Sequence, residues 1–161
     1  MAFDPRKNRS ADEPRAKLSI VTDGDATDEL GPDVLDFAHS VFELARAGDA
    51  AELTGLLEAG LPPNLTNDKG DSLLILAAYH GHLDAVVTLV SHGADVSRVN
   101  DRGQTALAAA VFRSARPIVV ALLAAGADPA GGSPSAFETA AFFDLPEMTQ
   151  LLYAPPRPDA R

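Results

Sequence analysis

The sequence lacks cysteine and tryptophan, and aromatic residues make up only 6% of its 161 positions. Without cysteine the chain forms no disulfide bonds, thiolate zinc sites or cysteine nucleophiles. No apolar run approaches the roughly 18–20 residues that a membrane span requires. The charged start, residues 1–17, has no apolar stretch of the kind that a secretory signal contains. These absences predict a cytoplasmic protein.

Positive charge is also scarce, with 13 lysine and arginine residues against 23 aspartate and glutamate residues and a net charge of −10. An acidic body is repelled by nucleic-acid phosphates and by anionic membranes, so neither is expected as a partner. The acidic charge is densest in residues 18–36, which contain six carboxylates and no lysine or arginine. Such a segment is expected to compete with acidic or phosphate ligands, or to pair with a basic partner.

Alanine and leucine supply much of the hydrophobic content, which amounts to 46% of the chain. Alanine has the highest helix propensity, and its small side chain lets helices approach closely. The composition therefore predicts an all-helical or mostly helical fold.

An internal repeat of 33 residues organises the middle of the chain. Glycine, asparagine and aspartate recur at this interval at Gly60, Gly93 and Gly126, Gly70 and Gly103, Asn67 and Asn100, and Asp68 and Asp101. Such a period is typical of stacked repeat architectures, in which each unit buries its faces against its neighbours.

One unit can be followed from residue 67 to residue 98. It opens with a turn at 67–70, after which Ser72 is expected to cap a helix over about 73–80. Gly81 interrupts the pattern, and a second helix is predicted over about 83–92. Gly93 stands where a glycine usually ends a helix.

This unit resembles the ankyrin repeat. The motifs that carry the resemblance are Gly70-Asp71-Ser72-Leu73-Leu74-Ile75-Leu76-Ala77-Ala78, Gly81-His82-Leu83-Asp84, Gly93-Ala94-Asp95-Val96, Gly103-Gln104-Thr105-Ala106-Leu107 and Gly126-Ala127-Asp128-Pro129. The family's Thr-Pro-Leu-His motif is replaced by residues 72–75 and 105–108, which predicts less ideal repeats. Tetratricopeptide repeats have a similar period, but they have a different apolar pattern and lack the Gly-Ala-Asp loop.

The resemblance covers about residues 37–154 and implies an all-α solenoid of about four helix-turn-helix repeats with short hairpin loops and atypical capping repeats. The predicted repeats are 33–66, 67–99, 100–132 and 133–154, within a domain of residues 31–154. Gly31-Pro32-Asp33 replaces the first hairpin as a helix start, and Asp144 and Glu147 are spaced as a capping box for the last helix. Residues 1–30 are interpreted as a disordered or partner-docking arm, and residues 155–161 as a short disordered tail.

No motif for catalysis, phosphate binding or metal binding is found, so no catalytic residue, cofactor or metal is predicted. Asp23-Gly24-Asp25 is similar to the opening of a calcium loop, but Asp28 and Val34 stand where an EF-hand needs glycine and glutamate. His80 and His82 flank Gly81. The resemblance gives His82 a structural role and places His80 at the surface, without further ligands at metal-site spacing.

The family binds partners through a groove formed by inner helices and loop tips. Carried onto this sequence, the implied loop contacts are Asp68, Lys69, Asp71, Asp101, Arg102 and Gln104. The implied helix contacts are Arg46, Ala47, Tyr79, His80, Phe112, Arg113, Phe142 and Phe143. Arg46, Tyr79, Phe112 and Phe142 are expected to form one column, and aromatic residues and arginine dominate binding at many interfaces. The alternative for Phe142 and Phe143 is that they close the core at the C-terminal cap.

These features predict a non-catalytic protein-interaction module that is a monomer when alone and binds another protein. The alanine-rich composition, with arginine in excess of lysine, suggests a GC-rich bacterial source. Short bacterial ankyrin proteins are often accessory or regulatory partners of enzymes, including oxidative-stress haem enzymes such as catalases. An effector that is secreted and binds host proteins, and an enzyme or enzyme subunit, are the alternatives.

Overall fold

The computed structural model of the protein describes residues 32–153, in which the chain forms eight α-helices and no extended strand. In chain order the helices are α1 (Pro32–Ala47), α2 (Ala50–Glu58), α3 (Leu73–Tyr79), α4 (Leu83–Ser91), α5 (Ala106–Phe112), α6 (Arg116–Ala124), α7 (Ala136–Phe142) and α8 (Pro146–Tyr153). None of these helices is both long and apolar enough to cross a membrane.

The helices form two layers. The inner layer contains α1, α3, α5 and α7, each packed on the next, and the outer layer contains α2, α4, α6 and α8 in the same order. Each inner helix also packs on the outer helix that follows it in the chain. The predicted all-helical solenoid of four helix-turn-helix units is confirmed.

The core runs through the inner layer and consists mainly of aliphatic side chains. In α5 all residues from 106 to 111 are buried, because the helix lies between α3 and α7 and also contacts α6. Four of these six residues are alanine, since a helix surrounded on three sides leaves little room for larger side chains. Among residues 32–153, Phe42 in α1 is the one aromatic residue whose side chain is fully buried.

Hydroxyl side chains cap three of the inner helices. Ser72 Oγ accepts a hydrogen bond from the Ile75 N–H at 3.1 Å, which confirms the predicted cap. Thr105 and Ser135 make the equivalent bonds at the starts of α5 and α7. In the first unit α1 begins at Pro32 and stands in place of a hairpin, as residues 31–33 predicted.

A left-handed residue joins the two helices of each unit. Gly48, Gly81, Ser114 and Asp144 occupy this turn with φ angles of 79°, 80°, 54° and 53°. Asp144 lies in the turn, and α8 begins only at Pro146, so Asp144 is not the residue that caps this helix. The predicted capping box of Asp144 and Glu147 is therefore wrong.

In the last unit Asp144 forms the turn, and the Leu145 carbonyl accepts the first helical hydrogen bond of α8, from the Thr149 N–H at 3.0 Å. The capping box of this unit lies at the start of α7 instead. There Ser135 and Glu138 each receive a hydrogen bond from the backbone of the other.

Asparagine builds both hairpin loops of the middle units. Asn67 Oδ1 accepts hydrogen bonds from the Lys69 and Asp71 N–H groups, each at 2.9 Å. Asn100 Oδ1 does the same for Arg102 and Gln104, which explains why asparagine recurs after 33 residues. The Asp101 N–H donates to the Lys69 carbonyl at 2.9 Å, so the two hairpins are bonded to each other.

The last unit has a shorter loop, since its cap Ser135 follows Thr105 by 30 residues instead of 33. The Ser133 N–H donates to the Gly103 carbonyl at 2.8 Å, which brings this loop against the second hairpin. A Cβ atom added at Gly103 would lie 2.4 Å from the Ser133 carbonyl oxygen. Gly103 also has a φ of 80°, so both conformation and space favour glycine there.

Replacing Gly103 by alanine is expected to destabilise the protein more than replacing Gly81. Both residues have a φ of 80°, but a Cβ at Gly81 would have nothing within 4 Å. Gly81→Ala should therefore cost about 1 kcal/mol of unfolding free energy for its left-handed conformation, while Gly103→Ala adds a backbone clash. Urea denaturation of both variants measures the difference. Equal losses of unfolding free energy in the two variants would show that the loop around Ser133 moves to admit the Cβ atom at no energetic cost.

Candidate functional site

A cleft of about 250 Å³ lies between the hairpin loops and the C-terminal ends of α1 and α3. Eight of the contact residues predicted from the sequence line it, namely Arg46, Asp68, Lys69, Asp71, Tyr79, His80, Arg102 and Gln104. Asn67, Ile75 and Leu76 also line it and were not predicted. Ile75 and Leu76 are buried apolar residues of a helix, and such residues are normally assigned to the core. The one sequence feature that could have marked this position is that Ile75 replaces the histidine of the family motif.

Next to the cleft, four aromatic side chains form a continuous surface, called here the aromatic strip: Tyr79, Phe112, Phe142 and Phe143. The rings of Tyr79 and Phe112 are stacked, with centroids 5.9 Å apart and planes 11° apart. Phe112 meets Phe143 edge-on at 5.2 Å, and Phe143 meets Phe142 at 4.9 Å. Tyr79 and Phe112 meet because each is the last residue of an inner helix in neighbouring units.

The order of the strip differs from the predicted column in the last unit. The column was expected to continue from Phe112 to Phe142, but the ring contact of Phe112 is with Phe143. Phe142 is 82% exposed and Phe143 is 47% exposed, so neither closes the core at the C-terminal cap. Tyr79 and Phe112 are 38% and 40% exposed. Contiguous exposed apolar surface of this kind marks interaction sites in soluble proteins.

Basic side chains surround the strip and the cleft. The Arg113 guanidinium lies 5.8 Å from the centre of the Tyr79 ring, within the range of a cation–π interaction. Arg46 forms an ion pair with Glu43, one turn earlier in α1. Lys69 and Arg102 are exposed at the two hairpin tips, which are defined as residues 68–69 and 101–102.

The predicted loop contacts divide into exposed and structural residues. Asp68, Lys69, Asp101 and Arg102 are exposed at the hairpin tips, although Asp101 lies outside the cleft lining. Asp71 is only 7% exposed, and its carboxylate accepts a hydrogen bond from Asn100 Nδ2 at 2.8 Å. Gln104 is half-buried and accepts from the same Asn100 amide at 3.3 Å. The bond of Asp71 joins two neighbouring units, and that of Gln104 lies within the second hairpin.

The two histidines of the second unit have different environments. His82 Nε2 lies 2.8 Å from the Arg46 carbonyl oxygen, which ties the second unit to the first. A Cβ at Gly48 would approach the His82 ring to 2.4 Å, so the glycine makes room for it. His82 therefore has a structural role, as the resemblance implied. His80 is exposed and its ring meets the edge of Tyr79 at 5.3 Å.

The pKa of His80 is lowered from its ordinary value of 6.5. Partial desolvation of the ring beside Tyr79 disfavours the charged imidazolium most, and His82, Arg46 and Arg113 also repel its positive charge, while Glu43 acts in the opposite direction. His80 is therefore neutral at pH 7, and the groove beside Tyr79 gains a positive charge only in acid.

The titration of His80 should respond to its charged neighbours in opposite directions. Glu43→Gln is expected to lower its pKa further, and Arg113→Gln to raise it, as followed by NMR of the imidazole protons. Because the unfolded chain binds this proton at higher pH, the stability contribution of neutral His80 is present above pH 6.5 and is lost as the pH falls through the folded pKa. A midpoint that both substitutions leave unchanged would show that burial alone sets the pKa.

In residues 32–153 no group of three or more histidine, aspartate or glutamate side chains is placed to hold a metal ion. The segment compared with a calcium loop lies largely outside these residues, as do the predicted arm, 1–30, and the tail, 155–161.

The stacked units and the bonded hairpins define a helical-repeat protein. The family model for ankyrin repeats in three copies matches residues 42–131, which is more than half of the chain. The chain belongs to the ankyrin-repeat family, whose members are protein-interaction modules and generally not catalytic.

Three relatives show how far the similarity extends. An ankyrin-repeat protein of Pseudomonas aeruginosa is 57% identical over 58 residues, which cover 36% of this chain and 34% of the relative. A potassium channel of Arabidopsis thaliana is 34% identical over 79 residues, covering 49% of this chain and 10% of the channel. An ankyrin repeat domain-containing protein of Homo sapiens is 41% identical over 61 residues, covering 37% and 20%. The chain spans about a third of the first relative's length and less of the other two.

Proposed function

We propose that this protein is a non-catalytic module that binds a partner protein through a groove made of the cleft, the aromatic strip and the hairpin tips. The exposed stack of Tyr79 and Phe112, continued by Phe143, is the observation that supports this proposal. Two nearly parallel rings offer a flat apolar surface on which an aliphatic or aromatic side chain of the partner can pack.

The polar groups around the strip supply the specificity of the site. Arg113, Lys69 and Arg102 place charged donors around the rings, and the Tyr79 hydroxyl adds a neutral one. Apolar anchors at the centre of a patch and charged groups at its rim are the usual arrangement at protein interfaces.

We propose that the partner is an enzyme of a bacterial cytoplasm. This chain, which is a monomer when alone, accompanies or regulates that enzyme. Its similarity to a bacterial ankyrin-repeat protein supports a bacterial setting. The association of short bacterial ankyrin proteins with oxidative-stress haem enzymes makes such an enzyme the first candidate to test.

Site-specific photocrosslinking in the native cells tests the proposal. The photoreactive residue p-benzoylphenylalanine is placed at position 142, where the side chain points outward, or at position 87 on the exposed face of outer helix α4. We expect a defined adduct from position 142 and none from position 87, and mass spectrometry of the adduct names the partner.

An adduct formed only from position 87 would place the interaction on the outer helices and contradict the proposal. If neither position gives an adduct and the purified chain captures no protein, the proposed module is wrong and the enzyme or effector alternatives return.

A further inference from the structure

Charge is unevenly divided between the groove and the rest of the molecule. Residues 32–153 contain six lysine and arginine side chains, and four of them lie at the groove: Arg46, Lys69, Arg102 and Arg113. The carboxylates beside them are those of Glu43, Asp68, Asp71 and Asp101. The remaining described surface has 11 carboxylates and two basic side chains.

Two of the four groove carboxylates are already engaged. Glu43 is paired with Arg46, and Asp71 is buried on Asn100. Lys69, Arg102 and Arg113 have no carboxylate partner within ion-pair distance among the described residues. Among residues 32–153, the groove therefore offers an acidic segment three available cations beside exposed aromatic rings.

The chain itself contains a segment with the complementary pattern, directly before α1. Residues 18–21 read Leu-Ser-Ile-Val and offer three aliphatic side chains. Four carboxylates follow within residues 23–29, at Asp23, Asp25, Asp28 and Glu29, and no lysine or arginine lies between residues 18 and 31. The aliphatic residues of this segment are complementary to the aromatic strip, and the carboxylates that follow them are complementary to the cations that border the strip.

The segment is long enough to reach the groove. α1 is 16 residues long, or about 24 Å, and Arg46 at its C-terminal end lines the cleft. Neighbouring inner helices lie about 10 Å apart, so Phe112 is roughly 30 Å from the start of α1. Residues 21–31 span up to about 36 Å when extended.

We propose that residues 18–30 of this chain occupy its own groove, with the aliphatic residues 18–21 on the aromatic strip and the carboxylates beside Lys69, Arg102 and Arg113. Exposed ion pairs are individually weak, but a tethered segment faces the groove at a local concentration of millimolar order, so weak contacts suffice. The segment then acts as a built-in competitor that any groove-binding partner must displace. This inference goes beyond the proposed function, since it requires no partner.

The absence of cysteine from the chain makes a direct test possible, because a single introduced cysteine is the only labelling site. A nitroxide is attached to the full-length variant Ala26→Cys, and amide signals are recorded by NMR in low salt. We expect the signals of Lys69, Tyr79 and Phe112 to lose most of their intensity, while those of Glu58 and Val87 on the outer helices keep theirs. The loss should be reversed in about 1 M salt, where the Debye length falls to about 3 Å.

Two charge variants of the labelled chain separate specific docking from general repulsion. The first neutralises the segment with Asp23→Asn, Asp25→Asn, Asp28→Asn and Glu29→Gln. The second removes as many charges from the outer helices with Glu52→Gln, Glu58→Gln, Asp84→Asn and Glu147→Gln. We expect the first to abolish the signal loss in the groove and the second to preserve it.

Three results would overturn the proposal: groove signals of full intensity, equal losses on both faces, or losses that persist after neutralisation of the segment. Mixing labelled chains with isotope-enriched unlabelled chains detects a segment donated by a second copy, which would also overturn it. None of these NMR results depends on whether the crosslinking experiment finds a partner. The docking of residues 18–30 and the binding of a partner are therefore tested independently.

Discussion

Replacing Tyr79 and Phe112 together by alanine is expected to weaken the complex with the partner at least about 30-fold, which corresponds to about 2 kcal/mol. The two rings stack on each other, contact Phe143 through Phe112 and receive Arg113 over Tyr79, so removing both erases the centre of the strip. Calorimetry with the purified partner measures the loss.

The double variant should remain folded, because both rings end their helices and more than a third of each is exposed. The matched control is Leu83→Ala with Val87→Ala, which removes two comparably exposed apolar side chains from outer helix α4. We expect the control to bind the partner as the natural protein does. Unchanged affinity of the Tyr79 and Phe112 variant, or an equal loss in the control, would remove the groove from the binding site.

Replacing Asn100 by alanine is expected to lower the unfolding free energy by about 3 kcal/mol. Asn100 is 5% exposed, and its amide accepts from the Arg102 and Gln104 N–H groups and donates to Asp71 and Gln104. Without it the buried Asp71 carboxylate loses its partner across the unit boundary, and leaving a buried polar group unsatisfied costs about 1–3 kcal/mol or more if it is charged. Urea denaturation measures the effect.

The control for this substitution is Asn64→Ala. Asn64 Oδ1 also accepts a bond from the next unit, from the Asp95 N–H at 2.8 Å, but this contact is exposed to water. We expect a loss of about 1 kcal/mol or less, because water replaces the amide. If both variants lose the same free energy, burial of the bond between Asp71 and Asn100 is not what stabilises the hairpins.

Much of the fold could be predicted because each repeated residue makes a local hydrogen bond or adopts a local backbone conformation. Ser72 caps a helix with its own hydroxyl, Gly81 accepts a left-handed turn, and Asn67 bonds to the backbone two and four residues later. None of these tasks depends on distant residues. The ends of α3 and α4 accordingly lie within one residue of their predicted positions.

The last unit was harder to predict because two segments there carry the same signal. Both Ser135-x-x-Glu138 and Asp144-x-x-Glu147 have the spacing of a capping box, and the sequence alone gives no reason to prefer the first. The choice follows from the turn at Asp144, which takes the position that Gly81 and Ser114 have in the other units.

Part of the groove could be predicted for a similar reason. Tyr79 and Phe112 stand at equivalent repeat positions, so their proximity follows from the period. The preference of Phe112 for Phe143 over Phe142 depends on side-chain orientation, which the period does not specify.

The unequal ends of the stack bear on how copies of the protein meet. Identical surfaces that match head to tail can polymerise into open filaments. Here the first end presents the extended helix α1 where a hairpin would stand, and the last loop has no asparagine in the place of Asn100. Within residues 32–153, neither end offers a second molecule the partners for the bonds that join the middle units, so these residues disfavour the growth of a filament by continued stacking.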